Sequence, residues 1–112
     1  MVKVIDADTY DVDLDLGFHI HVQQRIRLEG LNAPEKNTPA GKTAIAWAQA
    51  WLAQRRDFVV ETHRQEKYGR WLATLTADGR HSLNTALLDE GHAAPYDGTG
   101  PRPLPPTKEN AS

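Results

Sequence analysis

Between Thr9 and Leu16 apolar and acidic positions alternate strictly, with Val12, Leu14 and Leu16 on one side and Asp11, Asp13 and Asp15 on the other. A period of two is that of a half-buried strand. Gly17 interrupts it. The alternation resumes with Ile20, Val22, Ile26 and Leu28, opposed by His19, His21, Gln23, Arg25 and Arg27. The two runs predict an antiparallel hairpin, an acidic strand beside a basic one. Each opposite-charge cross-strand pair contributes about 0.2–1 kcal/mol.

The pattern then changes period. Pro34 ends the strand signal, because the residue before a proline is pushed out of helical geometry, and Leu31–Glu35 reads as a loop. Thr38 followed by Pro39 is a helix start, and Ala44, Trp47, Ala48, Trp51 and Leu52 recur at helical spacing toward a core. Phe58–Thr62 and Trp71–Thr76 read as further strands, the second closed by the turn dipeptide Asp78-Gly79. Ser82 caps a short helix carrying Leu83, Ala86 and Leu87, with Gly91 as its stop. Five of the seven prolines lie from Pro95 onward, so the expected domain is 1–96, followed by a disordered proline-rich tail over 97–112. No internal repeat is present. Several strands, one longer helix and one shorter helix predict an α+β fold built on a small barrel.

A chain of 112 residues is sized for one domain. It has no cysteine, which excludes disulfides and thiolate metal sites. Neither an apolar leader nor a run of about 18 apolar residues is visible, so a soluble, intracellular, membrane-free protein is expected. Thirteen basic and fifteen acidic residues give a net charge of −2, against the basic balance of proteins that grip long duplexes by charge alone. Any chemistry on nucleic acid has to rest on a local site.

Three clusters offer one. They are Asp6-Ala7-Asp8-Thr9, Arg27 with Asn32-Ala33-Pro34-Glu35, and Lys67-Tyr68-Gly69-Arg70. Phosphodiester hydrolysis needs oxygen ligands for a hard cation, a carboxylate to activate water, and guanidinium groups for the charge that builds on phosphorus. Taken singly, each cluster has a plain reading. Arg27 fits an ion pair across the hairpin, Asp6 and Asp8 fit turn residues bonding their own backbone, and Glu35 fits a solvated loop charge. His19 and His21 share a strand face without a third ligand and read as solvated. Trp47, Trp51 and Trp71 read as core, and Asn84 as a partner for neighbouring backbone.

Taken together, the clusters resemble the staphylococcal nuclease family. Its D-G-D-T start, R-x-x-G-[IV]-D-x-P-E segment, Y-G-R turn and later L-N-x-x-L-x-x-x-G correspond to Asp6–Thr9, Arg27–Glu35, Tyr68-Gly69-Arg70 and Leu83-Asn84 through Gly91. The resemblance runs from the first strand to Tyr96. It implies a five-stranded OB-type barrel and a monomeric, calcium-dependent nuclease acting on DNA or RNA. It also implies roles. Asp8, the side chain of Asn32 and the Ala33 carbonyl hold calcium, and Glu35 is the general base. Arg27 and Arg70 clamp the phosphate, while Lys67, Tyr68 and Tyr96 line the nucleotide. Asn32 stands where the family often has Asp, which removes one charge and implies weak calcium affinity. Ala7 replaces the usual Gly and requires a negative φ there. The rival readings are a non-catalytic binding module on the same scaffold and a plain OB-type oligonucleotide binder. The second would call for exposed aromatics on the barrel face.

Overall fold

The computed structural model describes residues 2–66 and 69–96. The expected hairpin is β2 (Thr9–Asp15) against β3 (His21–Leu28), and β1 (Val2–Asp6) pairs with the other edge of β2. The charged faces meet as the alternation requires. Arg25 and Asp11 are register partners joined by two hydrogen bonds of 2.7 and 3.0 Å, and His21 lies 3.7 Å from Asp13. At the tip, Gly17, Phe18 and His19 all have positive φ. This left-handed run ends the ladder one residue before Leu16, so Leu16, Phe18 and Ile20 stand in solvent rather than on the inward face that alternation assigns to Leu16 and Ile20.

Helix α1 (Pro39–Ala53) starts where its sequence signals place it, with the Thr38 hydroxyl accepting the Gly41 N–H at 3.0 Å. It buries Ala44, Ala48 and Trp51 against the sheet, while Trp47 and Leu52 are half-buried. Strands β5 (Phe58–Gln65) and β6 (Trp71–Ala77) form a second antiparallel pair, and β6 runs parallel to β3 through Ile26↔Trp71 and Arg27↔Leu72. Beyond the turn at Asp78-Gly79, β7 (His81–Ser82) folds back on β6 and leads into α2 (Leu83–Asp89).

The sheet order is β1-β2-β3-β6-β5, and the sheet stays open. This corrects the closed five-stranded barrel expected from sequence. The edges a barrel would join, β1 and β5, are separated by a groove lined by Val2, Val4, Leu52, Ala53 and Phe58. β1 has only five residues, with an irregularity between Val4 and Asp6, and it packs on α1 instead of reaching β5. The class remains α+β. A two-stranded patch unforeseen from sequence, β4 (Leu31–Asn32) with β8 (Ala94–Pro95), carries the chain back toward β3.

Asn84 is the buried hub between these parts. Its amide oxygen accepts the Leu75 N–H, and its NH2 donates to the carbonyls of Glu29 and Ala73, all at 3.0–3.1 Å. The expected backbone role is the observed one. The proline-rich tail lies outside the described residues, and among those described no helix is long and apolar enough to cross a membrane.

Candidate nuclease site

The corner between β1 and β2 carries the first cluster. Ala7 is fully buried with no positive φ, so the methyl group is accommodated where the family pattern has glycine. Its carbonyl accepts the Tyr10 hydroxyl at 2.6 Å. Burial, followed by the charges of Asp8 and Asp6, pushes the Tyr10 phenol far above its usual range, so it remains a donor. That bond sets the corner from which Asp6 and Asp8 project.

Asp8 is buried and faces the second cluster. One carboxylate oxygen accepts the Thr9 hydroxyl and the other the Ala33 N–H, each at 3.1 Å, while its carbonyl accepts the Leu28 N–H at 2.8 Å. Arg27 lies beside it, 4 % exposed. One guanidinium nitrogen is 3.3 Å from the Leu31 carbonyl, 3.5 Å from the Asn32 amide oxygen and 3.7 Å from Asp8. These contacts are long for charge-assisted bonds, which run near 2.7–2.9 Å. The cross-strand ion pair that sequence offered as the plain reading of Arg27 is divided: Arg25 takes Asp11, and Arg27 turns inward to Asp8.

The segment after Asn32 is held by main-chain contacts. The Lys36 N–H donates to Asp6 at 3.2 Å, and the Glu35 carbonyl accepts both the N–H and the hydroxyl of Thr38, at 3.0 and 2.7 Å. Glu35 is therefore anchored through its backbone to the start of α1 while its side chain is exposed. Asp6 senses the crowding. Burial, then Asp8, raise its carboxyl above the ordinary range, with Glu35 adding to the rise and Lys36 opposing it. Tyr96 enters through β8: its N–H donates to Gly30 at 2.9 Å, and its ring centroid lies 5.8 Å from the Arg27 guanidinium carbon.

The structure thus brings Asp8, Arg27, Asn32 and Ala33 together, with Asp6, Glu35 and Tyr96 at their border. Arg70 is connected differently. It stands two residues ahead of Leu72, the register partner of Arg27, but its guanidinium pairs with Glu66 across the turn closed by Gly69. Lys67 and Tyr68 lie outside the described residues. The β4–β8 contact depends on where the chain returns and left no signal in the sequence, whereas the Glu66–Arg70 pair is local to one turn and its i,i+4 spacing could have suggested it.

Oxygen donors gather here in kind suited to a hard cation: the Asp8 carboxylate, the Asn32 amide and, nearby, Asp6 and Glu35. Among the described residues no three His, Cys, Asp or Glu side chains form a metal cage by themselves. A site on Asp8 must therefore draw on amide or carbonyl oxygens and water. The donors present are all oxygens and include the buried Asp8 carboxylate, so in kind the residues fit a hard cation.

No curated protein matches the chain. The family model described as staphylococcal nuclease homologue matches residues 25–109, from within β3 past Tyr96. β1, and with it Asp6 and Asp8, falls outside that match, and the fold supplies the link by setting Asp8 against Ala33 and Arg27. With the match spanning most of its length, the chain belongs to the staphylococcal nuclease homologue family.

Proposed function

We propose that this domain is a metal-dependent nuclease that hydrolyses phosphodiester bonds of DNA or RNA at the Asp8–Arg27–Asn32 cluster. The observation that carries this reading is the buried Arg27 guanidinium, held by contacts of 3.3–3.7 Å beside a carboxylate and an amide oxygen. A buried cation so loosely matched has donors to offer a phosphate, and arginine offers them as a bidentate fork.

In this reading Asp8, the Asn32 side chain and the Ala33 carbonyl would hold calcium, which when bound supplies positive charge to the phosphate oxygens. Glu35, exposed at the edge of the cluster, accepts a proton from the attacking water. Arg27 donates to the non-bridging oxygens as charge builds on them. Arg70 joins it by exchanging Glu66 for the phosphate. Tyr96, beside Arg27, lines the nucleotide together with Lys67 and Tyr68. The acidic surroundings of Asp6 would otherwise repel the polyanion, which is why cation binding and phosphate binding are coupled here.

Cleavage of plasmid and single-stranded substrates with calcium, magnesium, manganese or EDTA tests the proposal. Metal-dependent cleavage by the wild type, lost in Glu35→Gln and in Arg27→Ala, is the expected result. Undiminished cleavage by Glu35→Gln would remove it from the base role. Nucleic-acid binding without cleavage under any metal would favour the non-catalytic module.

A further inference from the structure

Away from this cluster, α1, α2 and the β6–β7 turn enclose a groove of about 430 Å3, lined among others by Trp47, Arg55, Arg80, His81, Asp89 and Glu90. Its two ends differ along α2. Arg80 and His81 stand just ahead of that helix, with Arg55 just past the end of α1, while Asp89 and Glu90 stand at its finish.

The cationic end is organised. The Arg55 guanidinium lies 3.9 Å over the Trp51 ring, and one of its nitrogens donates to the Trp51 carbonyl at 2.8 Å. That bond uses one of five donors in a fork already immobilised by stacking. The nearby acid, Asp78, spends one oxygen on the N–H groups of Arg56 and Asp57 at 3.3 and 3.1 Å, and its charge acts on Arg55 and His81 without an ion pair to either. Arg80 is exposed and forms no ion pair among the described residues. Between the ends, half-buried Trp47 packs against His92 with ring centroids 5.0 Å apart and also lines the groove.

Fixed guanidinium groups beside an aromatic face are the means by which single strands are held without base readout. Acids at the far end forbid a continuous phosphate track, so the groove suits one or two nucleotides. We infer that it is a second contact for single-stranded nucleic acid, Arg55, Arg80 and His81 meeting phosphate and Trp47 meeting a base. This rests on the nuclease reading for its substrate. α1 begins four residues after Glu35 and its 15 residues rise about 22 Å, so one strand reaches both places only if it is several nucleotides long. The groove therefore selects for length.

The test is fluorescence anisotropy of a single-stranded oligonucleotide of about 16 nucleotides, in EDTA and over a salt series. Cleavage of a small chromogenic phosphodiester is measured in parallel. Arg80→Glu should weaken oligonucleotide binding about tenfold, and Arg80→Ala should lower the salt slope by about 0.7, the share of one phosphate on a single strand. Cleavage of the small ester should be unchanged. Arg64→Glu, an exposed charge reversal outside the groove, should have little effect. Wild-type affinity and slope in the Arg80 variants, or an equal loss in Arg64→Glu, would overturn the groove. A wild type that binds through Arg80 but cleaves nothing under any metal would uphold the groove and remove the nuclease reading.

Discussion

Gly41 sits so close beneath Glu35 that a Cβ at position 41 would lie 1.8 Å from the Glu35 carbonyl oxygen. The first turn of α1 and the loop carrying Glu35 are thus in direct backbone contact, and the absent side chain sets their separation. Gly41→Ala must move that loop, although alanine is the better helix former by about 1 kcal/mol. We expect a net loss of about 1–3 kcal/mol from the overpacked contact. Cleavage should fall more than stability alone accounts for, because Glu35 moves. Denaturant melts and kcat for the same preparation check this. A variant as stable and active as the wild type would show the contact to be soft.

Asn32→Asp places a carboxylate beside Asp8, with Arg27 within 3.5 Å to balance it. If position 32 ligates calcium, the added charge should tighten binding about tenfold, since charge count tunes oxygen-ligand sites. Isothermal titration gives the affinity, and cleavage at limiting calcium should rise with it. An unchanged affinity would take position 32 out of the ligand set.

Asn84→Ala removes three hydrogen bonds at once and takes this partner from the Leu75 N–H and the Glu29 carbonyl, while the Ala73 carbonyl keeps the Glu29 N–H. The expected cost is about 3 kcal/mol or more, as buried groups left unpaired cost about 1–3 kcal/mol each. Asn84→Asp should also destabilise, because it keeps the acceptor for Leu75 but turns the donor side into an acceptor facing two carbonyls. Equilibrium unfolding of both variants separates lost packing from lost donation.

The Asp78 carboxylate is held below the ordinary aspartate range, first by the Asp57 N–H and then by the Arg56 N–H and neighbouring positive charge. A carboxyl depressed in the folded state binds fewer protons there than in the unfolded chain between the two values, so stability rises with pH across that interval. Its contribution is complete above about pH 4 and is lost as pH falls through the folded value. Asp78→Asn should melt below the wild type at neutral pH, with the gap closing in acid. A gap that persists below the folded value would mean the charge is irrelevant and only the left-handed backbone at 78 matters.

Local signals determined most of the elements in this chain. Thr38-Pro39 and Ser82 start the helices where their side chains can cap, and the Asp/Arg alternation sets the β2–β3 register through Asp11 and Arg25. Such features depend on residues a few positions apart, or on a period that only one element satisfies, and so they survive in one dimension. The order of motifs likewise led to an expected cleft of Asp8, Arg27, Asn32, Glu35 and Arg70, of which the fold sets Asp8, Arg27 and Asn32 in close contact while Arg70 pairs with Glu66. Tertiary structure alone decided the rest. Whether β1 meets β5 depends on where α1 docks, and it docks on β1, leaving the sheet open. Alternation assigned Leu16 and Ile20 to the core, yet left-handed backbone at Gly17–His19 ends the strands and exposes both. The β3–β6 pairing, a tertiary contact, sets Arg70 two residues ahead of the register partner of Arg27, although its pairing with Glu66 is local to the turn that Gly69 closes.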